Sequence, residues 1–140
     1  MPWLTKDQVR TFLRNQGIPS ARKIDEILSG FDFDKPVYEK YFEEGEVLFQ
    51  FIRNPDYTGA KNTGNWFALP SGTMDGIAIF GGGSGRHPHK FSVAHPFSAI
   101  EGTAIALPRN WDWAGGGNGG HTQIYVPPRL LGHLISHGPQ

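Results

Sequence analysis

In "VLFQFIR", residues 47–53, Arg53 ends a run of large apolar groups. Its guanidinium is a rigid fork of donors that fits phosphate, or else it reaches solvent from a sheet edge. "GNWFALP", residues 64–70, sets Trp66 beside Phe67 just after Gly64. On a strand the two rings face opposite ways, so one belongs to the core and the other can wall a flat heterocycle. "GGGSGRHPHKFSV", residues 81–93, holds His87 and His89 on one side of an extended segment. H-x-H admits a metal, but a catalytic zinc needs a third ligand, which His95 or His121 would supply only by the accident of folding. A histidine that hydrogen-bonds a substrate, or one idle at the surface, needs no such help. In "GGGNGGHTQIYVPP", residues 115–128, Gln123 follows a glycine run and shares a strand face with Tyr125. A strand glutamine can simply be exposed, yet glycine beside a fixed polar group also lets a bulky ligand approach closely.

Gly115, Gly117 and Gly120 satisfy G-x-G-x-x-G, but a dinucleotide fingerprint follows a strand and opens a helix. Here the glycines precede Thr122-Gln123-Ile124-Tyr125-Val126, whose β-branched and aromatic content favours a strand. No Walker loop occurs.

The elements that position these residues follow from periodicity. Thr5 and Gln8 have capping-box spacing, and Val9, Phe12 and Leu13 then form a helical stripe that Gly17-Ile18-Pro19 stops. Ser20 caps a second helix bearing Ile24, Ile27 and Leu28 and ended by Gly30. A weaker third helix is expected over Pro36–Glu44, with Tyr38, Tyr41 and Phe42 as its apolar side. From Glu46 the period becomes two. Strands are expected at "VLFQFIR", "NWFAL", "GIAIF", "HKFSV", "GTAIAL" and "TQIYV", and a terminal helix at "PPRLLGHLISHG".

The whole reads as one α+β domain, residues 1–140, with a helical arm at 1–45 packed on a β-rich core at 46–140. A chain of 140 residues can bury roughly two-thirds of its unfolded surface. Thirteen basic and thirteen acidic groups cancel, which removes the electrostatic case for an obligate nucleic-acid partner. Zero cysteines exclude disulfides, a thiolate nucleophile and cysteine-ligated zinc. No apolar run is long enough to cross a membrane as a helix, and the opening residues do not read as a signal peptide.

The order of these segments resembles the necrotizing-toxin (TNT) family of NAD glycohydrolases, whose fold is related to ADP-ribosyltransferase toxins. The matching residues are Arg53, then Gly64-Asn65-Trp66-Phe67 before Pro70-Ser71-Gly72-Thr73, then Pro88-His89-Lys90-Phe91-Ser92-Val93. Gly102-Thr103-Ala104-Ile105-Ala106, the Trp111–Gly120 loop, Gln123-Ile124-Tyr125 and Leu134-Ile135-Ser136-His137-Gly138 complete the series. The loop is longer than the family form, and Pro88 stands where the family has an aromatic residue.

The resemblance implies a small, strongly twisted ADP-ribosyltransferase-like sheet core followed by a C-terminal helix. It implies an NAD cleft in which Arg53 holds phosphate, Trp66 or Phe67 stacks on nicotinamide, and His89 fixes the ribose or diphosphate end. Gln123 contacts ribose and positions water, with Gly64, Thr73, Gly117 and Tyr125 bordering the cleft. NAD or NADP is then the substrate, with no metal and no further cofactor. An amide is no base at neutral pH, which favours water as acceptor and hence hydrolysis. Two alternatives stay open. One is an ADP-ribosyltransferase acting on protein or nucleic acid, with Glu101 or Asp112 as its carboxylate. The other is a non-catalytic carbohydrate- or protein-binding module using Trp111 and Trp113. As a toxin, the domain suits the end of a larger secreted effector acting in the target-cell cytoplasm, restrained in its producer by an immunity protein.

Overall fold

A computed structural model describes residues 3–53, 65–69, 86–105 and 122–139, with 51–53, 86–88 and 138–139 defined by backbone alone. Helix α1, Lys6–Asn15, starts where expected: Thr5 Oγ1 accepts from Gln8 N at 3.2 Å, and Gln8 Oε1 accepts from Thr5 N at 2.8 Å. This reciprocal box satisfies two amides that no helical carbonyl can reach. Gly17, at φ +90°, turns the chain away. Helix α2, Ala21–Leu28, is capped by Ser20, whose hydroxyl accepts from Lys23 N at 3.2 Å.

Among the described residues seven strands form one antiparallel sheet: β1 (Tyr38–Phe42), β2 (Val47–Arg53), β3 (Trp66–Ala68), β4 (Arg86–Val93), β5 (Phe97–Thr103), β6 (Thr122–Tyr125) and β7 (Leu134–Pro139). Their spatial order is β1-β5-β6-β3-β2-β4-β7. Strand alternation divides the apolar residues into two clusters. Val9, Phe12, Leu13, Ile24, Ile27 and Leu28 of the helices pack with Phe31, Ile100 and Tyr125, so the helical arm covers one face. Phe42, Leu48, Phe67, Phe91, Val93, Phe97, Ile124 and Leu134 fill the far face, where Leu130 and Leu131 pack against them.

Strands β2, β3, β4 and β6 fall where period two places them; "GIAIF" lies outside the described residues. Three expectations are corrected. The segment Pro36–Glu44 is not a helix but holds edge strand β1, paired with β5 from Tyr38↔Glu101 to Phe42↔Phe97. Tyr38, Tyr41 and Phe42 mimic a helical stripe, yet only Phe42 turns inward, stacking on Phe97 at 5.4 Å between centroids, while both tyrosines are exposed. The helical arm therefore ends at Leu28, and the chain after it joins the sheet.

The second correction concerns the strand expected at 102–107. It runs instead over Phe97–Thr103, and Ala104 makes an isolated bridge to Phe31. Third, no terminal α-helix forms. Pro128–His133 is a 3₁₀ helix, after which Leu134–Pro139 pairs with the otherwise open edge of β4. Leu130, Leu131 and Leu134 have helical spacing, but Gly132 weakens a helix there, and pairing on β4 satisfies backbone groups between His89 and Val93.

The segment after α2 packs tightly on the sheet at Gly102, where a Cβ would lie 2.6 Å from Phe31 Cδ1 and 3.3 Å from Val37 Cγ2. Gly102→Ala is expected to destabilise by about 1–3 kcal/mol, the usual cost of overpacking. A denaturant midpoint equal to that of the wild type would show instead that Phe31 yields freely.

Candidate functional site

The sheet is held unevenly. Strands β2 and β4 pair along seven residues, from Val47↔Ser92 to Arg53↔Arg86. Between β2 and β3 the only ladder pair among the described residues is Phe49↔Ala68. One position on, the side chain of Gln50 takes over: its Nε2 donates to the carbonyl of Trp66 at 3.1 Å. The other side of this segment is tied to the end of β6, since Val126 N donates to Asn65 O at 2.8 Å and Asn65 Nδ2 donates to Val126 O at 2.9 Å. A four-stranded half (β1-β5-β6-β3) and a three-stranded half (β2-β4-β7) thus meet at a thin seam, at which Trp66 stands.

Register decides which candidate residues meet. Gln123 lies between Ala68 of β3 and Gly102 of β5, and Tyr125 lies between Trp66 and Ile100. These side chains share the face covered by the helices. The Trp66 ring is half-buried, tilted on Phe31 at 5.2 Å and edge-on to Tyr125 at 5.0 Å. Gln123 is only 5% exposed, and its Nε2 donates to the carbonyl of Gly30 at 2.7 Å. That bond crosses 93 residues of sequence and joins the end of the helical arm to the site strand. It leaves the amide oxygen as the atom free to accept from a ligand.

His89 is placed elsewhere. It is fully buried, opposite Gln50 on β2, in line with Leu48 and Phe91 on the far face. Phe67 is fully buried on that face too, edge-on to Phe91 at 5.3 Å. The structure therefore brings Gln123, Trp66 and Tyr125 together and does not bring His89 or Phe67 to them. Arg53 closes β2 opposite Arg86. Gly64, Thr73 and Gly117 lie outside the described residues, as do Asp112, Trp111, Trp113 and His121. Among the described residues no three His, Asp or Glu side chains gather as a metal would require.

Three contributors were not read as site residues from sequence: Gly30, Gln50 and Asn65. Gln50 carries a legible signal, a polar side chain inside an otherwise apolar strand. Gly30 reads only as a helix stop, because what it touches is set by the packing of the arm.

Tyr125 is 1% exposed, and its hydroxyl has no hydrogen-bond partner among the described residues. Burial pushes its pKa from 10.0 up to about 12. A phenol held neutral in the folded protein is freer to ionise once unfolded. Its stabilising contribution is therefore present below pH 10 and lost as pH climbs from 10 toward about 12. Tyr125→Phe should leave stability at neutral pH unchanged or raised, and should keep above pH 10 what the wild type loses. Thermal unfolding of both proteins across that range checks this; a clear loss at pH 7 would show that the hydroxyl is bonded.

Neither family models nor curated proteins match the sequence. Among solved structures, the chain is similar to Tse6 as seen in its complex with Tsi6. The TM-score is 0.69 at 16% identity, over 94% of this chain and 92% of that one. The two chains share an α+β fold across almost their whole length.

Proposed function

We propose that the domain is an NAD(P)+ glycohydrolase of the effector-toxin type, built on an ADP-ribosyltransferase-like core. The observation that carries this reading is the grouping of Gln123 with the Trp66 and Tyr125 rings on one sheet face, at a seam and directly after a glycine run. A wall of aromatic carbon with one buried amide suits a flat ring attached to a polyhydroxylated sugar. The fold is shared with Tse6, and the complex of Tse6 with Tsi6 supports a second protein as partner of this domain, which the proposal takes to be an inhibitor.

In the reaction the bond between ribose C1′ and the nicotinamide nitrogen breaks, and nicotinamide leaves with the electron pair. Water attacks C1′, the new bond gives ADP-ribose, and its proton passes to solvent. Charge builds on the ribose in an oxocarbenium-like state, so preorganised dipoles do most of the work. Gln123 Oε1 accepts from a ribose hydroxyl or the attacking water while Nε2 is held by Gly30. Trp66, not the enclosed Phe67, is the stacking ring. Arg53 clamps phosphate from the end of β2. His89, buried across from Gln50, braces the strand that holds the seam and does not touch ribose. Of the two candidate carboxylates for the transferase alternative, Glu101 pairs with Ile124, on the sheet face opposite Gln123, and Asp112 lies outside the described residues.

Incubated with NAD and a chelator, the purified domain should release nicotinamide and free ADP-ribose. Activity lost in chelator and restored by zinc would overturn the metal-free mechanism, and label retained on macromolecules would favour the transferase. Gln123→Ala should lower turnover by roughly 10²–10³-fold, the range for losing one preorganised group. Arg53→Lys should weaken NAD handling although charge is kept, because the bidentate fork is gone. Unaltered kinetics in a folded Arg53→Ala protein would return that residue to a plain edge arginine.

A further inference from the structure

We infer that the carbonyl of Gly30 is a specificity-determining group: it admits an amide at position 123 and rejects a carboxylate. The inference rests on the hydrolase reading for its catalytic meaning, though not for its test. A backbone carbonyl can only accept, so the Gln123 atom 2.7 Å from it must be the donor nitrogen. The carbonyl is also fixed in place. Gly30 N donates to Ile27 O at 3.1 Å, and Ile105 N reaches Gly30 O at 3.2 Å. A Cβ at Gly30 would meet Trp66 Cη2 at 2.8 Å, so the backbone is pressed against that ring. Being just past the C-terminus of α2, it also sits at the negative end of a helix.

Glutamate has the shape of glutamine, but once ionised it has no donor. At position 123 it would set a charged oxygen against the Gly30 oxygen in a place only 5% exposed. The lost hydrogen bond, the repulsion and the desolvation all act in one direction. Such a carboxyl keeps its proton and donates that O–H to Gly30. It is then neutral and unable to assist an acceptor nucleophile as a base. The packing of the helical arm thereby holds the site to amide chemistry.

Among the described residues, the charged and titratable groups around position 123 do not offset this. Tyr125 is on the same strand face and stays neutral to about 12. Glu101 of β5 belongs to the other face. In the segment after Gly30, Asp32 is half-buried with its carboxylate accepting from Asp34 N at 2.9 Å, while Asp34 and Lys35 are exposed.

The test compares Gln123→Glu, Gln123→Leu and wild type by urea unfolding between pH 4 and pH 8. The leucine variant should track the wild type with a constant deficit. The glutamate variant should come close to wild type near pH 4. A folded-state pKa raised above the unfolded value means stability present at low pH and lost as pH rises. Above about pH 4.3 its unfolding constant, relative to wild type, should therefore climb about tenfold per pH unit until the folded-state pKa is passed. A glutamate curve parallel to either reference overturns the inference. So does a glutamate variant that is unfolded at pH 4 while the leucine variant folds. None of these readings needs NAD turnover: an inactive wild type would sink the hydrolase and leave this result standing, and a pH-independent glutamate variant would do the reverse.

Discussion

The strict alternation of side chains along a strand is the constraint on which the rest of this molecule depends. Strand β6 has four residues and is enclosed on both faces, so parity alone sends Gln123 and Tyr125 toward the helices and Ile124 to the far side. The same rule separates Trp66 from Phe67 one strand away, and it turns His89 to the face opposite Gln123. Residues that read as one constellation along the chain become two groups on either side of a sheet. What remains on the helix side is a compact set: an amide, two rings and the backbone carbonyl that orients the amide.

Local rules made the helices legible. Thr5 with Gln8, Ser20 ahead of Ile24, and glycine at each stop carry nearly all the information an isolated helix needs. Strands β2, β3, β4 and β6 were legible because period two agrees with β-branched or aromatic content. The remaining elements were misread for a common reason. Tyr38, Tyr41 and Phe42 in β1, and Leu130, Leu131 and Leu134 near β7, have helical spacing by coincidence. Both strands are edges, and an edge strand is specified partly by the neighbour whose hydrogen bonds it completes. That neighbour is 55–63 residues away for β1 and about 45 for β7, beyond the reach of any window. In the site, Gln123 announced itself through the glycines before it, whereas Gly30 was invisible because its role is a tertiary contact.

The resemblance read from motifs covers the chain from about Leu48 onward and leaves the two helices without a counterpart. The likeness to Tse6 spans 94% of the chain, too much to leave out α1 and α2. The arm is thus part of the shared fold. The contacts of Gly30 with Trp66 and Gln123 give a physical reason for it to be there: a glutamine near the end of a strand has many rotamers, and a helix end laid across it selects one.

The order of the strands has a kinetic side. Among the described strands, only β2 with β3 and β5 with β6 are neighbours both in the chain and in the sheet, and the first of these pairs is the thin seam. Every other pairing closes a long loop, so the entropy of bringing distant segments together must be met before most of the ladder bonds exist. Folding should then be slow for a chain of this size, with the capped helices forming early and bare strand edges waiting for partners. A chain so wired spends much of its folding time without the contact that orients Gln123. The bond from Gln123 to Gly30 spans 93 residues of chain, so the orientation of that amide has to wait for a distant segment to arrive.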